Sequence, residues 1–358
     1  MANSFYQTIT TPTLYVSYPL WQYANGALDD IETSFGVIDE DLIRMIQLDP
    51  SKITNTFPDN ASSFNVYKYR IVPKADDFTD VIDSGLWNFD FMGILGHNLA
   101  SANASVIIQA NNDTAQGVVD IDTSTIVNHN HYGVPQYDGW SLFNLDDKPN
   151  NDSWNMRFNL QHPLGGGFDE FPIKIGSIIF GKKFVFPQSA DLNTTTKFDY
   201  GVKQTQTISG KTISTANWTK PNNWITEPFG LTEKDGERGD NFQRRSGRRT
   251  WNISFDSLAP EKVMNQMPMM NSNGWIAQDN HSTGADGIES LYNINNAVDF
   301  YTNVVHRTMG GHLPMLLQID SSDNSPQNFA ICRLKSDVQL TQKNPNLYNI
   351  KLTLVEQI

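Results

Sequence analysis

The clearest pattern in the chain is a two-residue alternation near its C-terminal end. Tyr348, Ile350, Leu352 and Leu354 fall on one side of an extended chain, with Asn349, Lys351 and Thr353 on the other, as a strand with one buried and one solvated face requires. Lys343, Asn344, Pro345 and Asn346 stand before it and predict a hairpin turn back to the strand-like run 330–340. Trp251, Ile253 and Phe255 alternate with Asn252 and Ser254 in the same way, and the run 313–319 reads as a further strand. Ile294, Ala297, Val298, Tyr301, Val304 and Val305 recur instead at helical spacing, with Gly310 and Gly311 as the stop. The last part of the chain thus predicts an antiparallel sheet or barrel with one flanking helix.

Strand signals also recur earlier, separated by turn signals, as in a β-sandwich. They are Phe64, Val66, Tyr67 and Tyr69; Phe89, Phe91, Ile94 and Leu95, leading into the turn Gly96-His97-Asn98; Val106 to Ile108; Met156, Phe158 and Leu160; and Ile175, Ile178, Phe180, Phe184 and Phe186. The segment 111–154 is rich in Asn, Asp, Gly and Pro and carries Tyr132, Tyr137 and Trp140. Aromatic rings on loops form a candidate binding surface, and rings packed down over an open sandwich end give the same pattern. The polar stretch 188–196 has no period and serves as a boundary. The expected organisation is an arm or docking segment over 1–62, a β-sandwich over 63–187 and a second β domain over 188–358. The arm holds a strand-like run at Leu14, Tyr15 and Val16 and a short helix led by Asp39, Glu40 and Asp41 and stopped by Pro50.

Composition agrees with a mainly β class and narrows the partners. Of 358 residues 39% are hydrophobic and only 18% charged, and the abundance of Asn, Asp, Thr, Ser and Gly favours turns and strands. A net charge of −13 disfavours nucleic acid, whose phosphates call for a basic face. No apolar run approaches the ~18 residues of a membrane span, so no membrane insertion is expected. The first residues lack a signal peptide's basic flank and apolar core, and a protein made and kept in the cytoplasm is expected. Cys332 is the one cysteine, which excludes an intrachain disulfide and a multi-cysteine zinc site.

Candidate chemistry is sparse. His129 and His131 would share a face on a strand and invite a metal reading, but no third ligand follows at metal-site spacing, and a polar turn between Val127 and Tyr132 is the expected reading. His97 sits in a turn, where hydrogen bonding is its expected task. Acid pairs such as Asp29 and Asp30 or Asp169 and Glu170 are expected by chance in a chain this acidic. Neither a nucleophile elbow nor a phosphate-binding loop is present. The expectation is no enzyme, with no catalytic, cofactor or metal residues. One basic cluster stands out, Arg244, Arg245, Arg248 and Arg249, running into Trp251. Guanidinium groups suit bidentate pairing with acids, which makes these residues candidates for a subunit interface; solvated charge ahead of a strand is the plain alternative.

Two sets of strings carry a family resemblance. The first is Arg248-Arg249-Thr250-Trp251-Asn252-Ile253-Ser254-Phe255, the helical run ending His306-Arg307-Thr308-Met309-Gly310-Gly311, then His312-Leu313-Pro314-Met315-Leu316-Leu317-Gln318, Phe329-Ala330-Ile331-Cys332-Arg333-Leu334, and the hairpin over 340–356. This succession resembles minor tail proteins of tailed bacteriophages, including the distal-tail family. That resemblance implies a tail-tube-like β-sandwich or barrel with a flanking helix, which forms rings. The second is Trp87-Asn88-Phe89-Asp90-Phe91-Met92-Gly93-Ile94-Leu95-Gly96-His97-Asn98-Leu99 with Ile175-Gly176-Ser177-Ile178-Ile179-Phe180-Gly181. These strings are similar to pieces of the galactose-binding-like jelly roll of phage virion proteins, and imply an accessory binding or packing domain. Together they imply a virion structural protein of a phage tail, assembled in the host cytoplasm as a homo-oligomer that docks other tail proteins. Two alternatives stay open: a receptor- or glycan-binding tail module that contacts host surface polysaccharide, and an enzyme that degrades it.

Overall fold

The computed structural model describes residues 11–24, 31–32, 39–50, 63–70, 90–111, 119–120, 123–127, 130–131, 134–145, 155–161, 173–216, 247–264, 299–325, 328–335 and 338–357. β1 (Thr13–Ser17) leads into helix α1 (Tyr18–Ala24), followed by β2 (Ile31–Glu32), helix α2 (Asp39–Ile46) and β3 (Ser63–Arg70). Next come β4 (Phe91–His97), β5 (Ser105–Asn111), β6 (Val119–Asp120), β7 (Thr123–Val127), β8 (Asn130–His131), β9 (Val134–Pro135), β10 (Gly139–Leu145), β11 (Asn155–Gln161) and β12 (Ser177–Val185). β13 (Thr195–Asp199), β14 (Val202–Gln206), β15 (Thr212–Ala216), β16 (Arg248–Leu258) and a single turn of helix, α3 (Pro260–Val263), follow. A π-helical turn, Tyr301–His306, precedes β17 (Met315–Gln318), β18 (Phe329–Leu334), β19 (Gln339–Asn344) and β20 (Leu347–Glu356).

The chain is mainly β, and its paired strands are antiparallel. Eleven of them form one sheet in the order β13-β16-β20-β18-β17-β1-β12-β4-β10-β7, with β19 alongside β20. Alternation in β16 and β20 does what it predicts. Trp251 lies opposite Leu354, Ile253 opposite Leu352 and Phe255 opposite Ile350, and all six are buried. Such cross-strand apolar pairs contribute roughly 0.2–1 kcal/mol each beyond an alanine pair.

The centre of the sheet has a different character. All five residues of β1 and all seven of β4 are buried, so both faces of these strands are covered and the sequence there is a continuous apolar run. β1, from the segment expected as an arm, pairs with Phe184 and its neighbours in β12 on one side and with Leu316 to Gln318 in β17 on the other. The sheet therefore runs unbroken past the boundaries drawn at 62/63 and 187/188.

A second sheet, β2-β3-β11-β5-β6, makes the sandwich. Ile108 of β5 and Leu160 of β11 share a core with Met92, Ile94, Phe143, Ile178 and Phe180 of the large sheet, closed by Met45 and Ile46 of α2. Farther along the same face, Leu14, Phe184, Phe255, Leu317 and Leu354 form another core with Phe300 and Val304. On the opposite face Trp140 of β10 meets Phe329 of β18 edge-on, ring centroids 4.6 Å apart. Those strands are five positions apart in the sheet, which in a flat sheet at ~4.8 Å per strand would separate them by about 24 Å. The sheet therefore curls about Trp140, Phe329, Tyr15, Phe91 and Leu316.

The helix predicted over 294–305 differs in form. Ile294, Ala297 and Val298 lie outside the described residues, and Tyr301–His306 forms a π-helical turn. Val304 is buried as expected, but Thr302, Asn303 and Arg307 are buried too, so this turn is enclosed nearly all round instead of lying on a surface. Arg307 accounts for part of this: its guanidinium sits 3.6 Å from the centre of the Tyr18 ring and 5.3 Å from that of Trp21, a cation–π contact that ties the turn to α1. Gly310 and Gly311, at φ +70° and +94°, end it as predicted.

Candidate functional site

The arginine cluster is where sequence placed the strongest site, and the fold divides it. Arg244 and Arg245 lie outside the described residues. Arg248 and Arg249 open β16 and so point to opposite faces. Arg249 turns inward to Glu356 at the end of β20. Its Nη2 donates to Glu356 Oε1 at 2.8 Å, its Nε at 3.1 Å, and its backbone N–H donates to Oε2 at 2.9 Å. Nη2 also donates to the Phe329 carbonyl at 2.8 Å, and the guanidinium lies 5.0 Å from the centre of the Trp251 ring. The Glu356 side chain is only 4% exposed. The acid expected across a subunit boundary is thus, for Arg249, in the same chain. Trp251, expected at that boundary, is buried in the core opposite Leu354, because the alternation that makes β16 a strand turns Trp251, Ile253 and Phe255 inward.

Arg248 keeps a place near the surface. It stands opposite Asp199 of the edge strand β13 and is half-buried. Its Nε has no hydrogen-bond partner among the described residues. Near Glu356 lies Cys332, its register partner in β18; burial first, and the Glu356 carboxylate second, push its thiol well above the usual range, which leaves it an inert core residue.

The loop aromatics also separate. Tyr132 lies outside the described residues, Tyr137 is exposed, and Trp140 is fully buried in β10. Trp140 is therefore no part of a binding surface: the run Trp140, Ser141, Leu142, Phe143 forms a strand, and its indole fills the curl against Phe329. His131 belongs to β8, whose side chains, with His129, lie outside what is described. Among the described residues no group of three or more His, Cys, Asp or Glu converges as a metal site would require, and no helix is long and apolar enough to cross a membrane.

One pair has the elements of a nucleophile and base. His97 Nε2 lies 2.8 Å from Ser141 Oγ, and both side chains are fully buried. The Leu99 N–H donates to His97 Nδ1 at 3.3 Å, so in the neutral ring the proton sits on Nε2 and is donated to Ser141. A general base needs a lone pair there, not a proton. The pair instead pins the Gly96-His97-Asn98 turn to β10. Burial drives the imidazole down to about 3 from its ordinary 6.5. Unfolded chains take up a proton as pH falls through about 6.5 while the folded state does not until about 3, so the stability this residue confers is whole above pH 6.5 and is lost between those values. The melting temperature should accordingly fall more steeply from pH 7 to pH 4 in the wild type than in a His97→Gln variant; equal slopes would refute a buried neutral imidazole.

Sequence reasoning missed β13, β14 and β15 altogether. β14 and β15 form an isolated two-stranded ribbon, with Lys203 opposite Thr215 and Thr205 opposite Ile213. The available signal was a β-branched, Thr-rich stretch on each side of Ser209-Gly210, with Gly210 at φ +82° in the turn. Without an apolar face it shows no hydrophobic period.

Comparison with protein families, characterised proteins and solved structures returns no match for this chain.

Proposed function

We propose that the chain is a structural component of a bacteriophage tail, which assembles as a symmetric oligomer and docks other virion proteins. The observation that carries this reading is the continuity of the eleven-stranded sheet. Every string of the tail-protein resemblance contributes to it or packs on it: β16, β17, β18 and the β19–β20 hairpin pair in turn, and Val304 of the π-helical turn packs into their core. β1 then joins this half to β12, β4 and β10. A single curled wall transmits load across its whole width through backbone hydrogen bonds, which suits a building element. Among the described residues its edges are β13, β7 and β19, and strand edges are where neighbouring molecules can attach.

The glycan-binding alternative loses one of its three aromatic residues to the core, since Trp140 is enclosed. In the tail reading, Arg248, half-buried opposite Asp199 of β13, is the described member of the basic cluster that stands nearest to a neighbour; Arg244 and Arg245 lie outside the described residues. Antibody raised against the chain, applied to purified particles and viewed by electron microscopy, tests the proposal. Label confined to one level of the tail is expected; label on the head, or on no part of the particle, would overturn it.

A further inference from the structure

Of the two separate two-stranded pairs among the described residues, β8 with β9 is short and the ribbon of β14 and β15 is the longer. Its strands pair with each other over five unshifted positions and belong to no larger sheet. All of β14 and all but the last residue of β15 are exposed. Two-stranded ribbons are at best marginally stable in water without a surface to pack on, and this one has no apolar stripe of its own. Val202 and Ala216 lie on one face, Thr205 and Ile213 on the other. Its turn is closed locally: the Thr207 N–H donates to the Lys211 carbonyl at 2.9 Å, the Gly210 N–H to the Thr207 carbonyl at 2.9 Å, and the Lys211 N–H to Thr207 Oγ1 at 3.1 Å.

Exposed apolar side chains gather here. Of the eleven large hydrophobic residues exposed among the described ones, six are Leu192, Phe198, Tyr200, Val202, Ile208 and Ile213, and Ile208 stands at the ribbon's tip. Single exposed apolar residues need no explanation. Val202, Ile208 and Ile213, however, stand on the ribbon itself, with Leu192, Phe198 and Tyr200 on β13 and its flanks, and such a concentration within residues 192–213 marks a contact surface. Both outer edges of the ribbon carry backbone groups open to pairing, and neither a proline nor a bulge blocks them.

Charge identifies the occupant. Residues 195–216 hold Lys197, Lys203 and Lys211 against Asp199, a net +2, so the remainder of a chain with net charge −13 carries −15. A basic arm on an acidic body fits the body of another copy, whereas arm against arm would bring lysines together. We infer that the ribbon 202–216 is an assembly arm that docks on the acidic body of a neighbouring copy of this chain. Two different patches meet in this contact, and its head-to-tail repetition builds rings or helical stacks. This deepens the tail reading by naming the element that links neighbouring copies.

The test mixes equal amounts of ordinary and 15N-labelled full-length chain and couples lysines to carboxylates with a zero-length carbodiimide. Mass spectrometry should find peptides of Lys203 or Lys211 joined to acidic peptides of the other isotope. In sedimentation, the Lys203→Glu/Lys211→Glu variant, altered only at exposed positions, should self-associate about tenfold more weakly than the wild type at low salt. Raising ionic strength from about 0.05 to 0.5 M should weaken the wild type in the same direction. Cross-links from these lysines only within one chain, a charge-reversed variant that assembles like the wild type, or a wild type that stays monomeric would each overturn the inference. Its failure is separable from that of the tail reading: tail label without such cross-links removes the arm alone, and cross-links without tail label remove the tail assignment alone.

Discussion

Replacing Arg249 by alanine is expected to destabilise the folded chain by about 3–5 kcal/mol, because it strands a buried carboxylate. Glu356 is 4% exposed and Arg249 18%, so neither charge is well served by water. The guanidinium supplies the side-chain donors to both carboxylate oxygens and a further hydrogen bond to the Phe329 carbonyl. Without it, the Arg249 backbone N–H is the donor to Glu356 that remains among those described. The loss belongs to the unpaired charge and not to the worth of the pair, so Arg249→Ala with Glu356→Ala should cost less than the two single losses summed. The exposed pair Lys343–Asp256, 3.1 Å apart with side chains 53% and 47% exposed, provides the contrast: Lys343→Ala should cost only about 0–1 kcal/mol. Urea unfolding of the four variants measures all of this. An Arg249→Ala cost near that of Lys343→Ala would show that water reaches Glu356 after all.

That pair also shows where sequence reading reached its limit. Four arginines within six residues are plain in the chain, and a charge-pairing role for them is sound chemistry. Glu356, however, lies 107 residues away from Arg249, and nothing local to either residue announces the other. β16 and β20 were legible because each keeps one solvated face, so burial imposes a period of two on the side chains. β1 was legible as a strand but not in its place, since a run buried on both faces carries no period and its partners lie in β12 and β17, far along the chain. The Asn-, Asp- and Gly-rich flanks of Trp140 point to a loop, whereas Trp140, Leu142 and Phe143 about Ser141 are the better local signal of a strand. The ribbon went unread for the opposite reason: it buries nothing, so hydrophobic patterning cannot find it.

Gly181→Ala should cost about 2–3 kcal/mol, at the upper end of what overpacking does, and should act first on the seam between the halves of the sheet. Gly181 pairs with Ser17 of β1 on one side and Phe91 of β4 on the other. A methyl group there would collide with the Val16 carbonyl oxygen and come within 2.8 Å of the Tyr18 ring. Neither neighbour can yield cheaply: Val16 belongs to β1, held between two strands, and Tyr18 is buried beneath the Arg307 guanidinium. Relief therefore requires β1 to move away from β12, which opens the sheet where its two halves join. Gly210→Ala is the control, since its methyl would meet nothing within 4 Å and only the left-handed backbone opposes it, at a cost of about 1 kcal/mol. In hydrogen exchange, amides of β1, β12 and β17 should lose protection in the Gly181→Ala variant while β16 and β20 keep theirs. Uniform loss across the sheet would mean that β1 is not a separable seam, and a melting temperature equal to the wild type's would mean that the strand accommodates the methyl group.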